Sequence, residues 1–306
     1  MLRYDDLQVF VHTSDSGSLS AAARQLEISP AVASAALKRL ESELEVRLFA
    51  RSTRSLRLTP EGDAFLLHAR ASLRSLEEGR RLLQGGKDQI AGVLQLSAPS
   101  DFGRNLLLPW LDEFQARYPQ LSLRLLLGDR VTDLYRQPVD VAIRYGAPAD
   151  SSLVALPLAP DNRRVLCAAP GYLAERGEPR QPDDLREHNC LLYQLGGRVH
   201  DRWAFQRGRR SLTLTVAGDR VCDDADVVRR WALAAKGLVY KSWLDVAEDV
   251  RAGRLRLLLP DWQGEATPMN LLCTHRAQLT RPVTLLRAFV RERCDALLAE
   301  APWTRN

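Results

Sequence analysis

Residues 17–62 read GSLSAAARQLEISPAVASAALKRLESELEVRLFARSTRSLRLTPEG. Ser18 is a good N-cap for "LSAAARQLE", in which the small Ala21, Ala22 and Ala23 permit close helix packing. After a short turn, Ser29 caps the next helix and Pro30 takes its first position, where a missing N–H costs nothing. The apolar side of that helix, Ala33, Ala36, Leu37, Leu40 and Leu44, recurs in steps of three and four. Two short helices, a tight turn and small residues at the crossing form the helix-turn-helix pattern. "VRLFARSTRSLRLTPEG" then offers two short extended runs around the polar "RSTRS", which predicts a wing. Thr59 caps the following helix and Pro60 opens it.

Before this stretch, Asp5 is expected to cap a helix carrying Leu7, Phe10 and Val11 on one face, and "DSGS" ends it. After it, the helix from Pro60 runs to Gly85 and Gly86. Its apolar stripe, Leu66, Ala69, Leu73, Leu76 and Leu83, has Arg80 in the missing slot, and such a stripe on a single long helix predicts a partner helix and hence dimerisation. The competing reading is a helix packed on its own domain, although globular helices show a wider apolar face. "QGGKDQ" reads as a linker.

From Gly92 the pattern alternates. "VLQLSA", "LSLRLLL", "VDVAIR", "RVLCAA", "SLTLTV", "GLVYK" and "MNLLCT" read as strands, and "RNLLLPWLDEFQARY", "ADVVRRWALAAK", "SWLDVAEDVRAG" and the tail from Leu285 as helices. The expected organisation is a winged helix-turn-helix domain over 1–59, a dimerising linker helix over 60–86, and an α/β domain over 90–306.

Composition agrees with that division. A chain of 306 residues, 45% apolar and 26% charged, suits two soluble domains. No apolar run is long enough to span a membrane, and "MLRYDDLQVF" has acids where a signal peptide needs positive charge, so the expected location is cytoplasmic. The net charge of +5 is concentrated where it matters, since Arg47, Arg51, Arg54 and Arg57 lie in a run without an acid. Cys167, Cys190, Cys222, Cys273 and Cys294 are scattered, with no metal-ligand spacing, and suit reduced thiols. No G-x-S-x-G, Walker A or H-E-x-x-H motif occurs, and His188 near Cys190 has no apparent acid partner. No enzyme activity, metal or cofactor is expected.

The 17–62 stretch closely resembles the amino-terminal domain of LysR-type transcriptional regulators, in its alanine-rich helix, the "LE" and "LF" pairs, "R-x-TR" and "LT-x-x-G". "FGRNLLLPWLDEFQARYP", "DVAIRYG", "PGYLAERGEPRQPDDLREHNCL" and "GLVYKSW…AGRLRLLLPDW" are similar to the effector domain of the CrgA-like branch. The resemblance covers nearly the whole chain. It implies a periplasmic-binding-protein-like effector domain of two α/β lobes with a cleft between them. It also implies a homodimer or homotetramer acting on double-stranded DNA with paired half-sites, under control of a small-molecule effector and with RNA polymerase at the promoter. One departure is Ala35, where the family commonly carries Arg or Lys.

The candidate DNA contacts are Ser29, Pro30, Ala31, Ser34, Lys38 and Arg39 on the third helix and Arg51, Arg54 and Arg57 in the wing. The amino-terminal part of such a helix reaches base edges: Ser34 can bond a base or phosphate, and Ala31 can touch a thymine methyl. Guanidinium forks suit phosphate. The competing reading is a solvated helix face and a solvated basic hairpin, with Arg51 turned inward. In the α/β domain, "SAPSDFG" joins a strand end to a helix start, where N–H groups without intrahelical partners favour an anion. Ser100 is the favoured effector contact, with Asp101 and Phe102 beside it, and Arg144, Tyr193, Asp223 and Lys241 at other strand ends. Asp101 can instead cap the helix, and Arg144 can pair with an acid. The expected function is a DNA-binding regulator modulated by an effector. The alternatives are a constitutive repressor whose carboxyl-terminal domain is purely structural, and a solute-binding or catalytic α/β protein.

Overall fold

Gly17 adopts a left-handed backbone, φ 64°, that glycine takes without a Cβ penalty, and the chain turns there from its first helix into its second. The computed structural model describes residues 2–51, 56–84, 90–129, 139–146, 153–195 and 197–304. They fall into two units, Met1–Gln89 and Ile90–Asn306.

The first unit contains α1 (Tyr4–Ser16), α2 (Leu19–Gln25), α3 (Pro30–Leu44), the antiparallel pair β1 (Phe49–Arg51) and β2 (Leu56–Leu58), and α4 (Pro60–Gln84). The Ser18, Ser29 and Thr59 caps are in place: their hydroxyls accept from the N–H groups of Ala21, Val32 and Gly62 at 3.4, 3.3 and 2.9 Å. Asp5 is not a cap. Arg3 occupies that position without a side-chain bond, and Asp5 lies in the first turn, where its charge complements the helix dipole. The buried Glu41 carboxylate accepts from the N–H groups of Leu48 and Phe49 at 2.9 and 3.3 Å and so ties α3 to the start of the wing. Gly62 lies against the same point, since a Cβ there would stand 2.1 Å from the Leu48 carbonyl oxygen.

The stripe on α4 requires a correction. Leu66 and Ala69 are buried among Phe10, Leu37, Leu40 and Leu48 of their own unit, and Leu73 packs on the edge of that cluster. Three of the positions expected at a dimer seam therefore belong to the helix-turn-helix core. Leu76 is 58% exposed, and the side chain of Leu83 lies outside the described residues.

In the second unit, lobe one is built on a sheet in the order β4-β3-β5-β16-β6, from β3 (Gly92–Ala98), β4 (Leu121–Leu127), β5 (Val141–Tyr145), β6 (Val154–Ala159) and β16 (Met269–Cys273). β3 runs parallel to β4 and β5, whereas the late strand β16 returns antiparallel between β5 and β6. Lobe two has the order β12-β8-β13-β7-β14, from β7 (Arg164–Ala168), β8 (Cys190–Leu195), β12 (Val221–Cys222), β13 (Leu238–Ser242) and β14 (Arg256–Leu257), with β9 (Arg198–Val199) paired to β8. A smaller antiparallel sheet joins β10 (Arg202–Arg207), β11 (Arg210–Thr215) and β15 (Gln263–Gly264). The helices are α5 (Ser100–Phe102), α6 (Leu108–Arg117), α7 (Pro170–Arg176), α8 (Ala225–Leu233), α9 (Trp243–Arg251) and α10 (Arg281–Leu298). A π turn over Gly103–Leu107 joins α5 to α6 just ahead of Pro109, which has no N–H to continue an α-helical ladder.

One apolar core runs through both lobes, from Phe102, Trp110 and Leu271 to Leu191, Val239 and Trp243. At their carboxyl ends β3 leads into α5 and β13 into α9, and such strand ends are where open α/β sheets present ligand groups. Among the described residues, no helix is long and apolar enough to cross a membrane.

Candidate DNA-binding surface and interlobe site

The start of α3 is turned outward. Ser29, Pro30, Ala31, Ala35 and Lys38 are exposed and Ser34 is half-buried, whereas Ala33, Ala36 and Leu37 on the opposite side are buried. Val32, which sequence reasoning did not single out, is 51% exposed on the same face. An apolar side chain left in water on an outward helix face has the chemistry to contact thymine methyl groups. Arg39 differs from Lys38. Its guanidinium is held by the buried Asp6 of α1, Nη2 to Oδ1 at 2.6 Å and Nε to Oδ2 at 3.2 Å, so it joins α1 to α3. Arg57 is exposed on β2. Arg54 and the side chain of Arg51 lie outside the described residues.

Between the lobes, Ser100 is only 1% exposed, and its surroundings differ from the expected open junction. Asp129, just after β4, accepts the Ser100 N–H at 2.9 Å through Oδ1. Its Oδ2 accepts the Ala225 N–H of α8 at 2.7 Å and the Ser100 hydroxyl. The Ser100 oxygen is itself 3.1 Å from the Ala225 nitrogen. The Ser100 amide that sequence reasoning left free is thus bonded to a carboxylate of the chain, which also takes the Ala225 amide of the other lobe. Asp224 caps α8 by accepting from Asp226 and Val227, while its exposed neighbour Asp223 does not. Arg104 of the π turn reaches the same cap, with Nη1 to Asp224 Oδ2 at 2.8 Å, and closes the lobes at the rim.

Asp101 neither caps its helix nor faces a cleft. It is 1% exposed and ion-paired to Lys241, which is enclosed in turn by Asp245 at 3.2 Å and by the Ala225 carbonyl at 3.2 Å. Tyr145 donates to Asp245 at 2.5 Å, and Arg229 bonds Asp249 at 2.7 Å. Burial pushes the Asp101 carboxyl up to about 7, against the pull of Lys241. For Lys241, burial works to discharge the ammonium, but Asp101 and Asp245 outweigh it and hold the pKa above its ordinary value. Lys241 is therefore an internal tie between the lobes. Phe102 is a core residue, fully buried and edge-on to Trp110 at 5.6 Å.

Arg144 lies on β5 of lobe one and Tyr193 on β8 of lobe two. Arg144 is half-buried and donates to the Ile143 carbonyl at 2.7 Å and the Ser97 hydroxyl at 2.6 Å. Among the described residues no carboxylate lies within ion-pair distance of it; burial lowers its pKa, and Asp129 acts on it only at longer range. Tyr193 lies beneath Arg164, 5.0 Å from guanidinium to ring centre, and stacks on His200 at 4.9 Å. Glu265 links Arg164 and His200 at 2.6 and 2.9 Å. Sequence reasoning missed Asp129, Arg164, His200 and Glu265, for none sits in a motif and each is recruited across the fold.

The comparisons with known proteins agree with this architecture. A family model described as "Bacterial regulatory helix-turn-helix protein, lysR family" matches residues 4–63, and one described as "LysR substrate binding domain" matches 87–295. The chain belongs to the LysR family. Among curated relatives, the HTH-type transcriptional regulator DmlR of Escherichia coli K12 is 31% identical over 275 residues, 90% of this chain and 88% of that protein. The HTH-type transcriptional activator AaeR of the same strain is 32% identical over 291 residues, 94% and 92% of the two chains. Of the solved structures, CrgA of Neisseria meningitidis, a LysR-type transcriptional regulator, aligns at a TM-score of 0.60 and 30% identity, covering 95% of this chain and 98% of its own. A full-length OxyR variant from Pseudomonas aeruginosa, at a TM-score of 0.68 and 18% identity over 95% of both chains, shares the fold.

This LysR-family chain is accordingly a DNA-binding transcription regulator with a winged helix-turn-helix head and a two-lobed, periplasmic-binding-protein-like domain; its relatives are regulators, not enzymes. Its Cys167, Cys190 and Cys294 thiols are pushed up to about 12, with burial the leading cause. His188 and Cys190 turn to different partners, the Tyr172 hydroxyl at 3.2 Å and the Leu185 carbonyl at 3.7 Å.

Proposed function

We propose that this regulator binds an operator of paired half-sites through the outer face of α3 and the wing, as a homo-oligomer joined by the outer part of α4. A small molecule between the lobes of the carboxyl-terminal domain sets how the oligomer holds DNA, and so how RNA polymerase is met at the promoter in the cytoplasm. Ser29, Pro30, Ala31, Val32 and Ser34 supply base-edge contacts, and Lys38, Arg57, Arg51 and Arg54 the phosphate contacts. The observation that carries the DNA reading is the polarity of α3: one face is sealed in the core while Val32 is left 51% exposed on the other, beside the exposed Ser29, Ala31 and Ala35. The effector reading is supported by Arg144, a half-buried cation whose acceptors among the described residues are neutral, beside the Ser100 junction.

A ligand works by preferring one arrangement of the regulator over another. A hundredfold excess over the dissociation constant raises stability by about 2.7 kcal/mol. A melting screen with small organic acids, followed by operator titration with the hits, tests the reading. The expected result is a ligand that raises the melting temperature and changes operator affinity or footprint. The second reading, a constitutive DNA-binding repressor with a structural carboxyl-terminal domain, is favoured by one observation, the internal satisfaction of the Ser100 amide. Wild-type protein whose melting and operator binding ignore every compound tested would select it.

A further inference from the structure

The seat between Ser100 and Ala225 holds a carboxylate already. Ser100 opens the helical run of lobe one and Ala225 is the first residue of α8 in lobe two, so Asp129 is bound by donors of both lobes at once. Three hydrogen bonds converge on this one carboxylate, and bonds to a carboxylate are of the strong, charge-assisted kind. Beside it, Arg144 on β5 spends its donors on the Ile143 carbonyl and the Ser97 hydroxyl. Among the described residues no carboxylate is ion-paired to it, and a guanidinium so far out of water without such a partner is under-compensated. The local field therefore suits a second negative charge, while the donors best placed to bind one are taken.

We propose that Asp129 is a built-in competitor of the effector: the chain's own carboxylate fills the seat that an effector's carboxylate takes when it binds. The inference rests on the effector site placed between the lobes above, and it names the ligand class as small organic acids. A hydroxyl or amide ligand would exchange a charge-assisted set of bonds for neutral ones, and a cation would meet only donors. Filling the seat from outside frees Asp129 and leaves the Ser100 and Ala225 contacts to the ligand. The contact between the lobes then depends on the effector instead of on the resting chain. Self-occupation weakens the apparent affinity by the fraction of time the seat stands empty.

Full-length Asp129→Ala protein tests this with acetate as the probe. Melting temperatures are recorded as sodium acetate replaces sodium chloride at constant ionic strength, up to about 100 mM, since so small a ligand can supply little binding energy. In chloride the variant is expected to melt below wild type, because its lobes have lost a bridge. Acetate should restore part of that loss in a saturable way. Wild type should respond at least about tenfold more weakly, the factor expected if its seat is free about a tenth of the time. Adding Ser100→Ala to Asp129→Ala should weaken the rescue, since it removes the hydroxyl donor and leaves the two amides. Equal responses of wild type and Asp129→Ala, or undiminished rescue in the double variant, overturn the proposal. Should the alanine variant fail to fold, Asp129→Asn keeps one acceptor and carries the same comparison. The two readings fail separately: an effector that binds wild type and Asp129→Ala equally well overturns the competitor and leaves the effector site standing.

Discussion

Arg39 of α3 is clasped by Asp6 of α1, with its Nη2 2.6 Å from Oδ1 and its Nε 3.2 Å from Oδ2. Asp6 is 3% exposed, so a buried carboxylate depends on this arginine, and the pair fixes the helix that presents Lys38. Two adjacent basic residues thus divide into a brace and an exposed charge.

That division has a measurable consequence. Lys38→Ala should weaken binding to specific and unrelated DNA alike and reduce the slope of log affinity against log salt by about 0.9, as one lost phosphate contact does. Arg39→Ala should lower the melting temperature of the head and leave that slope unchanged. Anisotropy titrations at several salt concentrations, beside thermal melts, read both. If Arg39→Ala changes the slope as Lys38→Ala does, its guanidinium leaves Asp6 for phosphate on DNA.

The α4 stripe divides in the same manner. Leu66→Asp should unfold the head, since loss of packing alone costs about 2–5 kcal/mol before the buried charge is counted. Leu76→Asp, at a position 58% exposed, should leave the head's melting intact and lower the mass of the particle in light scattering. A Leu76→Asp protein of unchanged mass and operator affinity would move the dimer contact off this part of α4.

These cases show what the sequence made legible. Caps and glycines act through neighbours in the chain, so Ser18, Ser29, Thr59 and Gly17 could be placed from their positions alone. The strand and helix pattern of the second unit emerged for long apolar runs such as Gly92–Ala98 and Leu121–Leu127. It failed for Cys190–Leu195 and Arg202–Arg207, where aromatic, charged and polar residues mix and burial is set by a second sheet. A heptad stripe cannot say which partner fills it, and on α4 the partner of Leu66 is Phe10's cluster in the same unit. The candidate residues between the lobes were half visible. Ser100 and Arg144 sit at strand ends that the pattern marks. Asp129 meets Ala225 across 96 positions of sequence, and Lys241 meets Asp101 from another sheet, contacts that no local signal encodes.

The buried pair Asp101 and Lys241 gives stability a pH dependence whose sign can be worked out. Burial pushes the Asp101 carboxyl up to about 7, whereas an unfolded chain loses that proton near its ordinary value of about 3.9. Between those two pH values the folded protein holds a proton that the unfolded chain has released. The contribution of Asp101 is therefore fully present below about pH 4 and is lost as the pH rises through about 7. Asp101→Asn cannot titrate. It suffers a constant loss from the broken contact with Lys241, which keeps Asp245 as a partner at 3.2 Å and stays charged throughout this window. The melting temperature of Asp101→Asn should accordingly rise relative to wild type from pH 4 to pH 7, whatever the size of that constant loss. Scanning calorimetry of the two proteins in matched buffers reads the difference directly. A gap that stays the same across the range would mean that Lys241 keeps Asp101 ionised in the folded protein, with the ion pair outweighing the cost of burial.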